Sequence, residues 1–268
     1  MKSMLMAAIL SLVPVAAPRA DLYQPYAAVL DRFVDQQGLV DYAGLKADRA
    51  DLDAFMKAIA ATDPLDYARW SADEQLAYWL NAYNAYILTL VVDNYPIQPA
   101  PGRAIYPDNS VQQLASPWKR KRYAVMRETR APDAIEHEII RVSFKEPRIH
   151  AALVCGAMSC PPLRREPYRG DRLDQQLDDQ CRRFFAELTN LQIDRDRNEV
   201  YASRIFDWFA EDFAPGVLEE EGTLASQRQA VASAAAPYLD AEKRSYLQRG
   251  DFTLKYFDYN WALNEQSK

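Results

Sequence analysis

The chain has 268 residues, of which 49% are apolar and 26% charged, with a formal net charge of −6. These values are typical of a globular protein with its own core. The negative charge argues against a nucleic-acid partner and against an anionic membrane surface, because both are bound mainly by Lys and Arg.

The first twenty residues have the pattern of a secretory signal peptide. Lys2 precedes an apolar run from Met4 to Ala17, and small residues follow. The run is shorter than the roughly 20 residues of a membrane-spanning helix. Cleavage after Ala17 or after Ala20 fits the pattern, and a retained N-terminal anchor is the alternative. We therefore predict a signal peptide over 1–20, a periplasmic or extracellular location, and no membrane span in the mature chain.

The first half of the mature chain is predicted to be helical. Apolar residues recur at helical spacing over Tyr23 to Gln36 and over Asp48 to Ala61. Ser71 and Glu74 form a capping box that opens a third helix, which ends before Pro96. Apolar residues cover much of the circumference of this third helix, so we expect it to be central and buried.

Strands and helices are both predicted after Pro117. The predicted strands are Arg122–Met126, Ile149–Cys155, a hairpin formed by Leu191–Asp194 and Glu199–Ala202, and Asp251–Phe257. The predicted helices are Asp133–Phe144, Arg172–Leu188, Ser203–Phe213 and Thr223–Tyr238. The expected fold class is α+β, with a helical first half and a small, mostly antiparallel sheet. No linker or repeat is evident, so residues 21–268 are predicted to form a single globular domain.

Residues with chemical potential fall in three clusters. Asn81 and Asn84 lie on the central helix, and Glu136, His137 and Arg141 lie on the helix predicted from Asp133. The third cluster runs from Arg148 to Pro162 and contains His150, Cys155, Ser159 and Cys160. Both histidines of the chain and two of its three cysteines are in these clusters; the third cysteine, Cys181, lies on the apolar face of its helix.

These clusters resemble the family catalogued as domain of unknown function 547. The similar segments are Tyr78–Ala85, Ile135–Arg141, Pro147–Leu163 and Asp258–Asn264, so the family-like core covers about 66–264. The family pattern more usually has Asp where this chain has Asn260. The resemblance implies a fold and a domain extent, and it implies little about activity.

Two functions follow from the residues themselves. In the first, the protein is a binding or structural envelope module, in which a Cys155–Cys160 disulfide closes a small loop and Asn81 and Asn84 satisfy buried backbone groups. Its ligand would be a small molecule, a peptide or a glycan. In the second, the protein is a thiol hydrolase or acyl transferase. Cys160 would be the nucleophile, with Cys155 as second choice, and His150 or His137 the base.

Several supporting roles accompany the hydrolase hypothesis. Glu136, Asn81 or Asn84 would orient an imidazole, and Arg141 and Arg148 would hold a carboxylate. A zinc site built from His, Cys and Glu136 is a third alternative, but the spacing of His150, Cys155 and Cys160 matches no common zinc pattern. We therefore predict no metal and no cofactor. The sequence makes no prediction about oligomeric state.

Overall fold

A computed structural model describes residues 21–214 and 224–267. The predicted signal peptide over 1–20 lies outside the described residues. The first half is helical, as predicted. Its helices are α1 (Gln24–Phe33), α2 (Tyr42–Ala47), α3 (Ala50–Ala61), α4 (Pro64–Tyr67), α5 (Ala72–Asn94) and α6 (Pro117–Arg120).

Helix α5 is the centre of the larger hydrophobic cluster. Ser71 accepts a hydrogen bond from the Glu74 amide, and the Glu74 carboxylate accepts one from the Ser71 amide, so the predicted capping box is present. Every residue from Leu76 to Val92 is buried. Helices α1, α2 and α3 pack around it, together with the segment 149–163. The prediction of a central buried helix is confirmed.

The second half combines helices with two small sheets. Its helices are α7 (Pro132–Ala134), a π-helical turn (Ile135–Ile140), α8 (Arg141–Phe144), α9 (Leu173–Ala186), α10 (Ile205–Trp208), α11 (Ala210–Phe213), α12 (Leu224–Ala235) and α13 (Ala241–Arg249). Short 3₁₀ turns cover Val111–Gln113, Pro147–Ala151, Gly170–Arg172 and Ala236–Tyr238.

The strands are β1 (Tyr123–Val125), β2 (Glu128–Arg130), β3 (Leu191–Asp194), β4 (Glu199–Ala202) and β5 (Thr253–Tyr256). Strands β1 and β2 form an antiparallel hairpin. In the other sheet β4 pairs antiparallel with β3 and parallel with β5. The predicted fold class, α+β with mostly antiparallel pairing in the middle and C-terminal regions, is confirmed.

One predicted strand is wrong. The segment 149–155 begins inside a 3₁₀ turn (Pro147–Ala151) and continues as largely buried chain without regular structure, and no strand among the described residues pairs with it. The amide side chain of Asn84 takes the place of such a strand. It donates to the Ala152 carbonyl (3.0 Å) and accepts from the Val154 amide (2.9 Å). An apolar run bounded by Pro and Gly does not distinguish a strand from extended chain held by a side chain.

Two predicted helices also differ in detail. Ser203–Phe213 is divided at Phe209, whose backbone leaves the helical region, so α10 and α11 are separate turns. The helix predicted over Asp133–Phe144 contains the π-helical turn, whose wider winding shifts the side chains of Glu136 and His137 relative to a regular helix.

Candidate functional site

The five residues predicted as catalytic candidates line one cleft. Its volume is ≈ 190 Å³, and we call it the aromatic cleft. Glu136 and His137 come from the π-helical turn, His150 from the following 3₁₀ turn, and Cys155 and Cys160 from the loop after that turn. The remaining lining residues are Tyr83, Trp118, Asp133, Leu153, Pro161, Ile205, Trp208, Phe209, Tyr259 and Trp261.

Aromatic side chains form much of the wall. The rings of Tyr259 and Trp261 lie 4.5 Å apart between centroids, and Trp208 lies 4.8 Å from Tyr259. Trp118 approaches Trp261 at 6.1 Å. Trp208 keeps 46% of its surface exposed although it belongs to this cluster. An exposed Trp in a concave aromatic wall is typical of a surface that contacts a ligand.

His150 is buried and held by a carboxylate. Its Nε2 lies 2.6 Å from Asp212 Oδ2, and its ring stacks on Phe209 at 4.2 Å between centroids. Arg141 donates to both oxygens of Asp212, from Nε at 2.6 Å and from Nη2 at 2.9 Å. Because Asp212 accepts, His150 Nε2 carries the proton of that hydrogen bond. This is the arrangement by which a carboxylate fixes the tautomer of an imidazole.

The pKa of Asp212 reflects the same contacts. Burial acts to raise it, but hydrogen bonds from His150 and Arg141 outweigh burial and hold the pKa of Asp212 well below its usual range. The carboxylate is therefore ionised throughout the physiological pH range.

His137 is also oriented by its neighbours. The Arg141 guanidinium donates from Nη1 to His137 Nδ1 (3.0 Å), and a guanidinium has no acceptor. In this arrangement Nδ1 is therefore unprotonated and the ring proton is on Nε2, which lies 3.7 Å from Asp133 Oδ1. Arg141 thus links the two histidines: it contacts His137 directly and His150 through Asp212.

Glu136 lies beside Tyr83 on the inner side of the cleft. Burial, and next the negative charge of Glu136, raise the pKa of Tyr83 well above its usual value. Tyr83 is 3% exposed, so it forms part of the floor of the cleft.

Cys155 and Cys160 form a disulfide, as the binding-module hypothesis predicts. Gly156 turns the chain directly after Cys155 with φ +90°, a conformation that favours glycine. Cys160 Sγ lies 3.0 Å from the Cys155 amide, which donates to it, and 3.2 Å from the Tyr259 hydroxyl. The sulfur of Cys155 lies 3.5 Å from the same hydroxyl.

The predicted binding residues are placed around the cleft, outside its lining. The Asn81 side chain donates to the Tyr168 carbonyl (2.8 Å) and accepts from the Tyr168 amide (2.9 Å), as Asn84 does for Ala152 and Val154. Both asparagines thus satisfy buried backbone groups and contact neither histidine. The Ser159 hydroxyl accepts from the Asn260 amide (2.9 Å).

The two predicted carboxylate-binding arginines are engaged by the protein's own acids. Arg141 contacts Asp212 and Glu211, and Arg148 contacts Glu146, Asp174 and Asp178. A ligand carboxylate would have to displace these partners. Within residues 21–214 and 224–267, no group of three or more His, Cys, Asp or Glu side chains is placed to hold a metal ion.

Sequence reasoning did not identify several residues of the site. Asp212 was missed because nothing in its own segment marks it as a partner of a histidine 62 positions earlier. Trp208 and Phe209 lie within Ser203–Phe213, which was predicted to be one continuous helix with no part in the site. A signal did exist for Tyr259 and Trp261, since both belong to the C-terminal segment that resembles the family.

Fold and cleft together define a helix-rich α+β domain in which two histidines, carboxylates and a disulfide meet beneath an aromatic wall. Residues 67–185 match the family model described as "Protein of unknown function, DUF547". Over these residues the resemblance inferred from sequence is confirmed. The match includes α5, the π-helical turn and the disulfide loop, whereas Asp212, Trp208, Tyr259 and Trp261 lie beyond it. Neither the curated proteins nor the solved structures contain a match to the chain.

No helix in the described part of the chain is both long enough and apolar enough to cross a membrane.

Proposed function

We propose that the protein is an exported ligand-binding module and that the ligand occupies the aromatic cleft. The observation that carries this proposal is the convergence of three tryptophans and two carboxylates on one cavity. Aromatic faces beside a few polar groups are the usual composition of small-ligand sites.

The charge of the cleft limits the class of ligand. Asp133 and Glu136 line it, and among the described lining residues none is Lys or Arg. Carboxylates and aromatic faces both favour a cation over an anion. A sugar ring or an uncharged side chain stacks on such a wall as well. The proposed ligand is therefore a neutral or cationic glycan or peptide.

The size of the cleft limits how much of that ligand it holds. Its ≈ 190 Å³ is smaller than the roughly 300–1,000 Å³ of sites for drug-sized molecules. The cleft would thus take one residue of a longer chain, with the rest lying over the exposed face of Trp208.

Tryptophan fluorescence titration tests this proposal. The probes are short neutral oligosaccharides and lysine-containing tripeptides, with an aspartate-containing tripeptide as the anionic comparison. We expect saturable changes with a neutral or cationic probe and none with the anionic one. Trp208→Ala should weaken binding about tenfold or more, as for central aromatic contacts. Leu188→Ala removes an exposed apolar side chain that does not line the cleft and is the control. Equal affinity in wild type and Trp208→Ala would contradict the proposal.

Export has a test of its own. The mature N-terminus would be determined by mass spectrometry on protein recovered from the periplasm or medium of the producing cell. Chains that begin at Pro18 or Asp21 would support export with cleavage after Ala17 or Ala20. Recovery of only the full-length chain inside the cell would contradict it.

The second candidate function, a thiol hydrolase, is favoured by one observation. Cys160 and His150 line the same cleft, and Asp212 orients His150 as the third group of a catalytic triad would. The enzyme would act only with the disulfide reduced. Ester hydrolysis measured with and without reductant separates the functions: a hydrolase gains activity on reduction and loses it in Cys160→Ser, whereas a binding module shows neither change.

A further inference from the structure

We propose that the Cys155–Cys160 disulfide is a reactive redox centre, which exchanges with a thiol in the aromatic cleft by attack at Cys155 and release of Cys160. This activity goes beyond ligand binding. It rests on the contacts of the two sulfur atoms and on how the loop between them is held.

The loop does not depend on the disulfide for its position. Asn84 holds the backbone on its N-terminal side through Ala152 and Val154. On its C-terminal side, the Met158 amide donates to the Ala262 carbonyl (2.8 Å) and the Ser159 amide to the Asn260 carbonyl (3.2 Å). The carbonyl of Gly156, inside the loop, accepts from the Asn264 amide (3.1 Å). All of these hydrogen bonds can persist when the S–S bond is broken.

The two sulfur atoms differ in access. Cys155 is half-buried, whereas Cys160 is 8% exposed. Both line the cleft, so a thiol bound there reaches Cys155 more easily. Thiol–disulfide exchange depends on which sulfur the incoming thiolate can reach.

The two sulfurs also differ in their hydrogen-bond donors. Cys160 Sγ has the Cys155 amide at 3.0 Å and the Tyr259 hydroxyl at 3.2 Å, whereas among the described residues Cys155 Sγ has only that hydroxyl, at 3.5 Å. Two donors stabilise negative charge on Cys160, which makes it the better leaving group. Burial, and next the charge of Glu136, raise the pKa of Tyr259, so its hydroxyl remains a donor.

The reaction balances with a thiol as the reductant. A thiolate attacks Cys155 Sγ and forms a mixed disulfide, while the bond to Cys160 breaks and its electron pair leaves with Cys160 Sγ, which then takes a proton. A second thiolate attacks the sulfur of the first thiol, which is bonded to Cys155 in the mixed disulfide. This step releases the Cys155 thiolate, which takes a proton. Two thiols are oxidised to one disulfide, and the cysteine pair is reduced to two thiols. The reverse sequence regenerates the protein disulfide.

Glutathione is the probe for the first test, which uses the full-length mature protein under native conditions. Alkylation and peptide mapping follow reduction over time, and circular dichroism reports folding. We expect reduction of the folded protein without loss of structure. Trapping the intermediate tests the asymmetry: in wild-type protein quenched with acid during reduction, peptide mapping should find the glutathione adduct at Cys155, and an adduct mainly at Cys160 would contradict the proposed direction of attack.

A matched pair of tyrosine variants tests the leaving group. Tyr259→Phe removes a donor to Cys160 and should slow reduction roughly three- to tenfold, the effect of losing one hydrogen bond of typical strength. Tyr256→Phe removes a buried hydroxyl that has no hydrogen-bond partner within the described part of the chain, and it should leave the rate unchanged. If reduction occurs only as the protein unfolds, or if the two variants behave alike, the proposal is overturned. Failure of Tyr259→Phe to fold leaves the reduction and trapping measurements on the wild-type protein to decide.

Discussion

Asp212 connects residues that lie far apart in sequence. It accepts from His150 and from Arg141, which also contacts His137. Its side chain is 21% exposed and that of Arg141 is 18% exposed, so water screens these charges only in part. Asp212 therefore orients His150 directly and is linked to His137 through Arg141.

Replacing this carboxylate with an amide should destabilise the fold. Asp212→Asn leaves Arg141 with the exposed Glu211 as its remaining acid, and we expect the free energy of unfolding to fall by about 1–3 kcal/mol at pH 7. Urea denaturation measures the change. Glu211→Gln removes the other, 63% exposed partner of the same arginine and should cost under about 1 kcal/mol. Equal effects of the two variants would contradict the assigned role of Asp212.

The stabilising effect of Asp212 should depend on pH. Its pKa is lower in the folded protein than the ordinary 3.8 of the unfolded chain. The folded state therefore binds this proton more weakly, so the contribution of Asp212 is complete above about pH 4 and decreases as the pH falls below 3.8. The difference in unfolding free energy between wild type and Asp212→Asn should narrow as the pH falls from 6 to 3. A constant difference over that range would refute this assignment.

At the residue scale, sequence predicted which residues meet but not what holds them. Glu136, His137, His150, Cys155 and Cys160 all line the cleft. The histidines and cysteines among them were found because the chain has only two His and three Cys, and four of these five lie in two short segments. Their partners are common residue types, and Asp212 is brought to His150 only by tertiary packing, which leaves no local pattern.

At the scale of elements, the Asn84 side chain makes the backbone hydrogen bonds that a neighbouring strand was expected to make. Its side chain satisfies one carbonyl and one amide of the segment that sequence predicted to be a buried strand. The periodicity of apolar residues showed that the segment is buried. It could not show what pairs with the backbone, because a pairing partner on a distant helix is not encoded in the segment itself.

The two buried asparagines of α5 provide a matched comparison. Asn84→Ala and Asn81→Ala should each lower the free energy of unfolding by about 2–4 kcal/mol, because each leaves a buried amide and a buried carbonyl unpaired. Only Asn84→Ala should accelerate hydrogen exchange at Val154, next to the disulfide. Asn81→Ala should instead affect Tyr168. Hydrogen exchange with residue resolution makes the measurement, and exchange at Val154 in both variants alike would contradict the local role.

At the scale of the whole molecule, the free cysteine and the disulfide lie in separate environments. Cys181 packs in the second hydrophobic cluster, with Phe184, Phe206 and Val231, while the disulfide lies at the cleft. Burial raises the pKa of Cys181 to about 12, so its thiol is unreactive in the folded protein.

Thiol counting tests this arrangement. Unreduced, folded protein should bind no alkylating reagent within the time that labels an exposed thiol, and unfolding in denaturant should release one reactive group, at Cys181. If the protein is reduced before it is unfolded, three reactive thiols should be labelled. Two or more reactive thiols in unreduced, unfolded protein would contradict the disulfide.

The double variant Cys155→Ser/Cys160→Ser should lose only about 2 kcal/mol of unfolding free energy, because the disulfide closes a short loop. Denaturation of the double variant, compared with wild type under non-reducing conditions, measures this loss. Collapse of the fold would show that the loop depends on its bond.

The C-terminal segment packs against the N-terminal part of the chain, around Val40. The Val40 amide donates to the Asn264 carbonyl (2.9 Å), and the Gln266 amide donates to the Val40 carbonyl (3.1 Å). The same segment supplies Tyr259 and Trp261 to the cleft. During synthesis, then, the two cysteines leave the ribosome about a hundred residues before Tyr259 does. A partly made chain holds the reactive residues but lacks the Tyr259 and Trp261 part of the wall, so the complete cleft cannot receive its ligand until translation has passed Trp261.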